Sequence, residues 1–264
     1  MSRQLQPALT AFALGLVGLG ILAFVYGDFA LVWQPVPVSL PGRSAFAYAS
    51  GLLMLLGGTG LLFQTSAAWS ARILFPYLFV WLLLKVPALI VAPRMEAVWL
   101  NFGEIAVLFA GGWILFATLA ETSPAPILAL VSGQRGIRMA TMLFGVSLIP
   151  IGLSHIYYTR QTVDLIPVWL PFRSGLAYLT GAGQICCGLA VLFSIFPRVA
   201  AMCEAGMVGL FAIFVWLPKI LASPKGRLPW TAFFITWFFA SSAWVVSRSI
   251  SSDASANQFR HNRG

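Results

Sequence analysis

Ionisable side chains are scarce in this chain: sixteen Lys and Arg, seven Asp and Glu, and two His among 264 residues. Each one set in an apolar run is therefore a candidate for chemistry. Lys85 sits within Trp81-Leu82-Leu83-Leu84-Lys85-Val86-Pro87, and Glu104 follows Trp99-Leu100-Asn101-Phe102-Gly103. A charge in hydrocarbon is costly and faces a partner or a wet cavity. Lys85 precedes Pro93 by 8 residues and Glu104 follows Glu96 by 8. Two helices joined by a short turn near 93–96 would bring the two side chains to matching depth. Two roles fit such a pair: a neutralised contact holding two helices together, or a relay for a proton or a ligand.

Arg43 and Arg173 each follow a Pro-x-x-x-Pro segment by two residues, with Tyr48 and Tyr178 five residues further on. A guanidinium one turn into a helix, at interfacial depth, can reach a lipid phosphate or a carboxylate. The segment is read either as an interfacial lid anchored to headgroups or as a shallow pocket for an anionic or amphipathic ligand. His155 stands near the end of an apolar stretch and could titrate near neutral pH; a satisfied interfacial histidine is the plainer reading. With His261 as the other histidine, the chain lacks the several ligands that a zinc or haem site needs. Glu204, near the start of a helix, is read as favourable to its dipole, and Lys219 as snorkelling from a helix end. Cys186, Cys187 and Cys203 lack the C-x-x-C spacing of a redox dithiol and read as packing residues.

The elements that must place these residues are transmembrane helices. Hydrophobic residues make up 59% of the chain and charged residues 9%, against about 25% charged in a soluble domain. The segments 8–26, 46–63, 71–92, 97–119, 136–157, 174–195, 199–222 and 229–247 each approach or exceed the roughly 20 apolar residues that cross a bilayer. They are continuous apolar runs, not the period-2 alternation of barrel strands, so helices satisfy their backbones. The apolar stretch of 1–27 is longer than the roughly 7–15 residues of a signal-peptide core, and it has a counterpart near 139–158, so it is read as a retained first helix. The net charge of +9 is spread one or two per loop with no basic stripe, so no nucleic-acid partner is expected. No P-loop, H-E-x-x-H, G-x-S-x-G or dinucleotide fingerprint occurs; the glycine runs at 57–60 and 111–112 suit close helix packing.

The chain also repeats itself. Pro37-Val38-Ser39-Leu40-Pro41-Gly42-Arg43-Ser44-Ala45-Phe46-Ala47-Tyr48 and Pro167-Val168-Trp169-Leu170-Pro171-Phe172-Arg173-Ser174-Gly175-Leu176-Ala177-Tyr178 agree at eight of twelve positions, at an offset of 130. An offset of 131 then pairs Pro87 with Pro218, Pro93 with Pro224, Trp99 with Trp230 and Trp113 with Trp244. The expected fold is all-α and integral to the membrane: eight transmembrane helices as two tandem four-helix units, 1–121 and 136–250. A linker at 122–135 joins them, and a disordered polar tail occupies 251–264. An even number of crossings per unit gives both copies one orientation, related by a pseudo-two-fold axis along the membrane normal. The matched prolines Pro87 and Pro218 mark interrupted helices of the kind that line binding sites, or simple kinks. Lys85 and Glu104 are not repeated; Trp216 and Ile235 stand at their counterparts.

Gly152-Leu153-Ser154-His155, Ile166-Pro167-Val168-Trp169-Leu170-Pro171, Tyr178-x-x-Gly181 and Gly188 resemble the DoxX-like family of small membrane proteins. The resemblance covers most of 140–248 and extends more weakly to 12–119, where Tyr26-Gly27-Asp28-Phe29 replaces the histidine cluster and Ser39 the tryptophan. It implies a fused, double-length member. It implies an accessory or scaffold subunit of a membrane complex, redox- or quinone-linked, with a membrane partner protein, the bilayer around it, and no independent catalytic activity. The alternative is a small transporter or lipid-handling protein with its site near Lys85 and Glu104. The excess of Arg and Lys on the face that bears the termini places both in the cytoplasm, across a bacterial inner membrane.

Overall fold

The computed structural model describes residues 4–119 and 130–261, with side chains through 250. Among these residues the structure is all-helical, and eight helices are long and apolar enough to cross a membrane. The first, α1 (Gln6–Tyr26), ends at Gly27, whose left-handed φ of 63° closes the helix at no steric cost. The second is α2 (Arg43–Leu61). The third crossing is α3 (Ala67–Leu83) continued by the short α4 (Val86–Val91). The fourth is α5 (Glu96–Leu119) and the fifth α6 (Gly133–Tyr157). The short α7 (Thr159–Leu165) leads into the sixth crossing, α8 (Arg173–Leu192). The seventh is α9 (Pro197–Phe211), a π-helical turn at Ala212–Trp216 and α10 (Leu217–Ala222). The eighth is α11 (Arg227–His261). Its backbone continues as helix into the segment expected as a polar tail. Most of the expected linker 122–135 lies outside the described residues, which leave out 120–129.

Both interrupted crossings break where the paired prolines stand. Proline lacks an N–H and clashes with the carbonyl four residues back. At Pro87 the helix stops at Leu83 and restarts with Pro87 in the first turn of α4. At Pro218 the same conflict is absorbed as a π turn over Ala212–Trp216.

Neighbours along the chain pack side by side: α1 on α2, α2 on α3, α3 on α5, α6 on α8, α8 on α9 and α9 on α11. Three further contacts join the first four crossings to the last four: α5 with α6, α1 with α11, and α5 with α11. The helix α5 is the most enclosed crossing, with 78% of its apolar window buried against 28% for the third.

Glycine sets the closest approaches. A Cβ on Gly152 would lie 2.4 Å from the Gly181 carbonyl oxygen, and one on Gly188 2.6 Å from that of Gly145. On α1 and α2, a Cβ on Gly20 would lie 2.9 Å from the Gly51 carbonyl, and one on Gly58 2.9 Å from that of Ala13. Small residues thus let the backbones of α1/α2 and α6/α8 touch.

Candidate functional site

The segment between α1 and α2 folds inward and fills the mouth of the bundle. Phe29, Trp33 and Gln34 are all buried. The Phe29 and Trp33 rings pack against Trp81 of α3 at 5.7 and 6.5 Å between centroids, and Trp33 reaches Phe238 of α11 at 6.1 Å. Between them Val32 takes a φ of 67°, which crowds a β-branched side chain and costs on the order of 1–3 kcal/mol. That turn aims its carbonyl at Lys85, whose Nζ donates to it at 2.9 Å. Lys85 lies in the break between α3 and α4 and is only 8% exposed.

Glu104, the ninth residue of α5, is close enough to feel the Lys85 charge. It is not within ion-pair distance of it. Lys85 therefore spends its proton on a backbone carbonyl instead of the direct pair expected from matched depths, because the inward loop brings an acceptor nearer than the carboxylate.

Beside Lys85 lies a polar cluster that the sequence reading missed. Gln34 Oε1 accepts from the Ala30 N–H at 2.8 Å, and its Nε2 donates to Ser50 Oγ at 2.8 Å and Tyr77 Oη at 3.1 Å. The Ser50 and Tyr77 hydroxyls are 2.8 Å apart. Gln34 uses both amide protons, and one hydroxyl donates to the other, so one hydroxyl proton remains for a further acceptor. Ser50 and Tyr77 also line a groove of about 540 Å³ between α2 and α3, walled by Phe29, Phe46, Leu53, Ile73, Val80 and Trp81. Neither Lys85 nor Glu104 lines this groove, nor the larger cleft of about 630 Å³ between α5 and α6 at Trp99, Phe102, Pro150 and Tyr157. A single Gln flanked by Trp and Pro gave the only hint in the sequence that this loop enters the core.

Above the cluster Asp28 gathers two cations. Arg43 Nε lies 2.7 Å from one carboxylate oxygen and Arg227 Nη2 3.0 Å from the other. The Phe29 N–H donates to the same carboxylate at 2.8 Å, and Arg227 donates to the Phe29 carbonyl at 2.6 Å. Arg43 also donates to the Val36 and Pro37 carbonyls. Burial pushes the Asp28 carboxyl up, but the hydrogen bonds from Arg43, Phe29 and Arg227 outweigh it and hold it below its ordinary value. Of the two partners open to Arg43, a phosphate or a carboxylate, the structure supplies the carboxylate, and Arg227 ties it to the far end of the chain.

The other sequence candidates are dispersed. Arg173 reaches the Val163 carbonyl at 3.4 Å. Tyr48 leans on Phe24 at 5.3 Å, and both Tyr48 and Tyr178 are exposed on the bundle surface. His155 Nδ1 shares a 2.8 Å hydrogen bond with Thr180 of α8 and faces Phe211. No group of His, Cys, Asp and Glu able to hold a metal occurs among the described residues. Glu204 departs from its reading as a helix-end residue: it is the eighth residue of α9, wholly buried, and accepts from Gln184 of α8 at 3.2 Å. Lys219 lies over Trp216 at 5.1 Å.

Local geometry recurs at the matched positions. The indole of Trp99 donates to the Pro93 carbonyl at 2.9 Å, and that of Trp230 to the Pro224 carbonyl at 2.8 Å. The turn bonds Leu40 N to Pro37 O and Leu170 N to Pro167 O measure 3.2 and 3.0 Å. Gly42 and Phe172, which precede α2 and α8, both take left-handed backbone, at φ 69° and 51°. Comparison of the chain with protein-family models, with curated proteins and with solved structures finds no match.

Proposed function

We propose that this protein is a DoxX-like, double-length membrane scaffold: an accessory subunit that holds a partner protein in the membrane and has no independent catalytic activity. The observation that carries this reading is the closed seat of Lys85. A carrier's buried cation would face a cavity open to one side; here it is capped by the Val32 carbonyl, in a loop whose Phe29 and Trp33 rings pack on Trp81, and it lines neither groove. The strained turn, the aromatic plug and the Asp28 clamp act as a rigid lid.

The two halves are read as tandem four-helix units, 1–121 and 136–250, sharing one orientation. The recurrent turn and indole hydrogen bonds support this, as do the paired glycine contacts. So does the contact pattern: α5 with α6 corresponds to α11 with α1, and α5 with α11 to itself. The loops agree, since the Tyr26 hydroxyl donates to the Lys225 carbonyl at 3.4 Å and the Ala97 N–H to the Tyr158 hydroxyl at 3.2 Å. With even crossings per unit and the Arg excess on the terminal face, both ends lie in the cytoplasm of a bacterial inner membrane.

The groove between α2 and α3 is where a lipid chain or a quinone would fit this scaffold. Its walls are apolar, and the spare hydroxyl proton of the Ser50–Tyr77 pair suits a carbonyl acceptor. Native mass spectrometry of the protein gently extracted from its own membrane tests the proposal. A stoichiometric partner protein, with or without a bound quinone or lipid, is expected. A bare chain in several mild detergents, with uptake activity in liposomes abolished by Glu104→Gln, would overturn it.

A further inference from the structure

The second half carries a polar site of its own, away from the lid. Gln184 on α8 is 2% exposed and Glu204 on α9 is 0% exposed. Gln184 Nε2 donates to Glu204 Oε1 at 3.2 Å. The remaining oxygens, Gln184 Oε1 and Glu204 Oε2, are both buried with no hydrogen-bond partner. Two buried acceptors, one on each partner of this bond, are thus left without a donor. Neither position is polar in the first half, where Met54 and Ile73 stand at the offsets of 130 and 131.

The surroundings offer no compensating cation. The helix α8 has no Lys or Arg after Arg173, and α11 has none between Arg227 and Arg248. Arg198, the second residue of α9, Lys219 on α10, Arg135 and Arg138 on α6 and Arg160 on α7 are the other cations on the packed elements, with His155 on α6 a further basic group, and no ion pair joins any of them to Glu204. The titratable groups nearby are thiols: Cys203 next to Glu204 in the chain, and Cys187, with Cys186, on α8, where the Cys187 thiol is close enough to feel a Glu204 charge. A bare carboxylate in an apolar interior must either find a counter-charge or be neutralised.

We propose that Gln184 and Glu204 form a buried proton-binding site, in which the proton on Glu204 Oε2 is donated to Gln184 Oε1. The side chains then close a cyclic amide–carboxylic acid pair with two hydrogen bonds, which uses both orphaned atoms and leaves no net charge. The bound proton welds α8 to α9, two turns before the π turn that interrupts the seventh crossing. Loss of the proton leaves one bond and a buried charge, and loosens that crossing. The site does not depend on the scaffold reading.

Infrared difference spectroscopy in lipid bilayers tests it, with wild type, Glu204→Gln and Gln184→Leu. The wild-type minus E204Q spectrum at neutral pH is expected to show a carboxylic-acid C=O band, converted to carboxylate bands as pH is raised. In Q184L, which keeps Glu204, that band is expected to move to higher frequency as its hydrogen bond is lost, so the proposal stays testable even where E204Q fails to fold. Carboxylate bands alone in wild type at every pH that leaves the protein folded would overturn the proposal, as would an acid band that Q184L does not shift.

Discussion

Asp28 is the residue on which most depends at the lid. It binds Arg43 of α2 and Arg227 of α11 at once, with its side chain only a quarter exposed. Asp28→Asn keeps the shape but leaves two guanidinium groups short of a charge, and is expected to cost about 2 kcal/mol, on the scale of hydrogen bonds to charged groups. Its carboxyl is held below the ordinary value in the folded protein. Its contribution is therefore complete above the ordinary carboxylate range of about 4 and is lost as pH falls through the lower folded value. Thermal unfolding in detergent as pH is lowered should show an acid loss of stability in wild type that is blunted in D28N. Lys85 is the second such residue. Lys85→Met orphans the Val32 carbonyl and is expected to cost about 1–3 kcal/mol. Because Glu104 feels the same charge, part of that cost should disappear when E104Q is added. A double-mutant cycle giving no coupling would separate the two residues.

The helices meet through their small residues, and the predicted cost follows the distance each side chain would have to open. Gly152→Val would drive a branched side chain into the Gly181 carbonyl, since even a Cβ would sit 2.4 Å from it. An overpacking cost of about 1–3 kcal/mol is expected, with α6 and α8 forced apart. Gly206→Ala on α9 is the control, because nothing lies within 4 Å of its added Cβ. It is expected to be neutral or to stabilise by up to about 1 kcal/mol through helix propensity. Both are read from the unfolding midpoint in the same detergent. The element scale is also where the prolines act. Pro87 and Pro218 occupy equivalent places, yet one gives a clean break and the other a π turn. Lys85 stands two residues before the proline of the first break, and Lys219 directly follows the proline of the second.

For the whole molecule, eight helices are long and apolar enough to cross a membrane, and eight crossings would return both ends to one face. Reporter fusions at residue 1 and residue 264 should give the same sidedness, cytoplasmic, and opposite readings would require an odd number of crossings. Reading the apolar helices and their number from the chain worked because hydrocarbon leaves the backbone no other choice: about 20 apolar residues must form a helix; the end of α11 was not legible, since its helix runs on past the apolar run to His261. The repeated turns were legible for a local reason, since Pro37–Pro41 and Pro167–Pro171 bias φ over a few residues. What tertiary structure alone decided is which polar groups meet. Matched depth suggested that Lys85 would pair with Glu104, but depth says nothing of rotation about a helix axis or of a loop that folds inward, and the Val32 carbonyl reached the ammonium first. Gln34 with Tyr77, Asp28 with Arg227 and Gln184 with Glu204 lie 43, 199 and 20 residues apart. No local pattern records such meetings, because they are set by the packing of whole helices rather than by the period of any one of them.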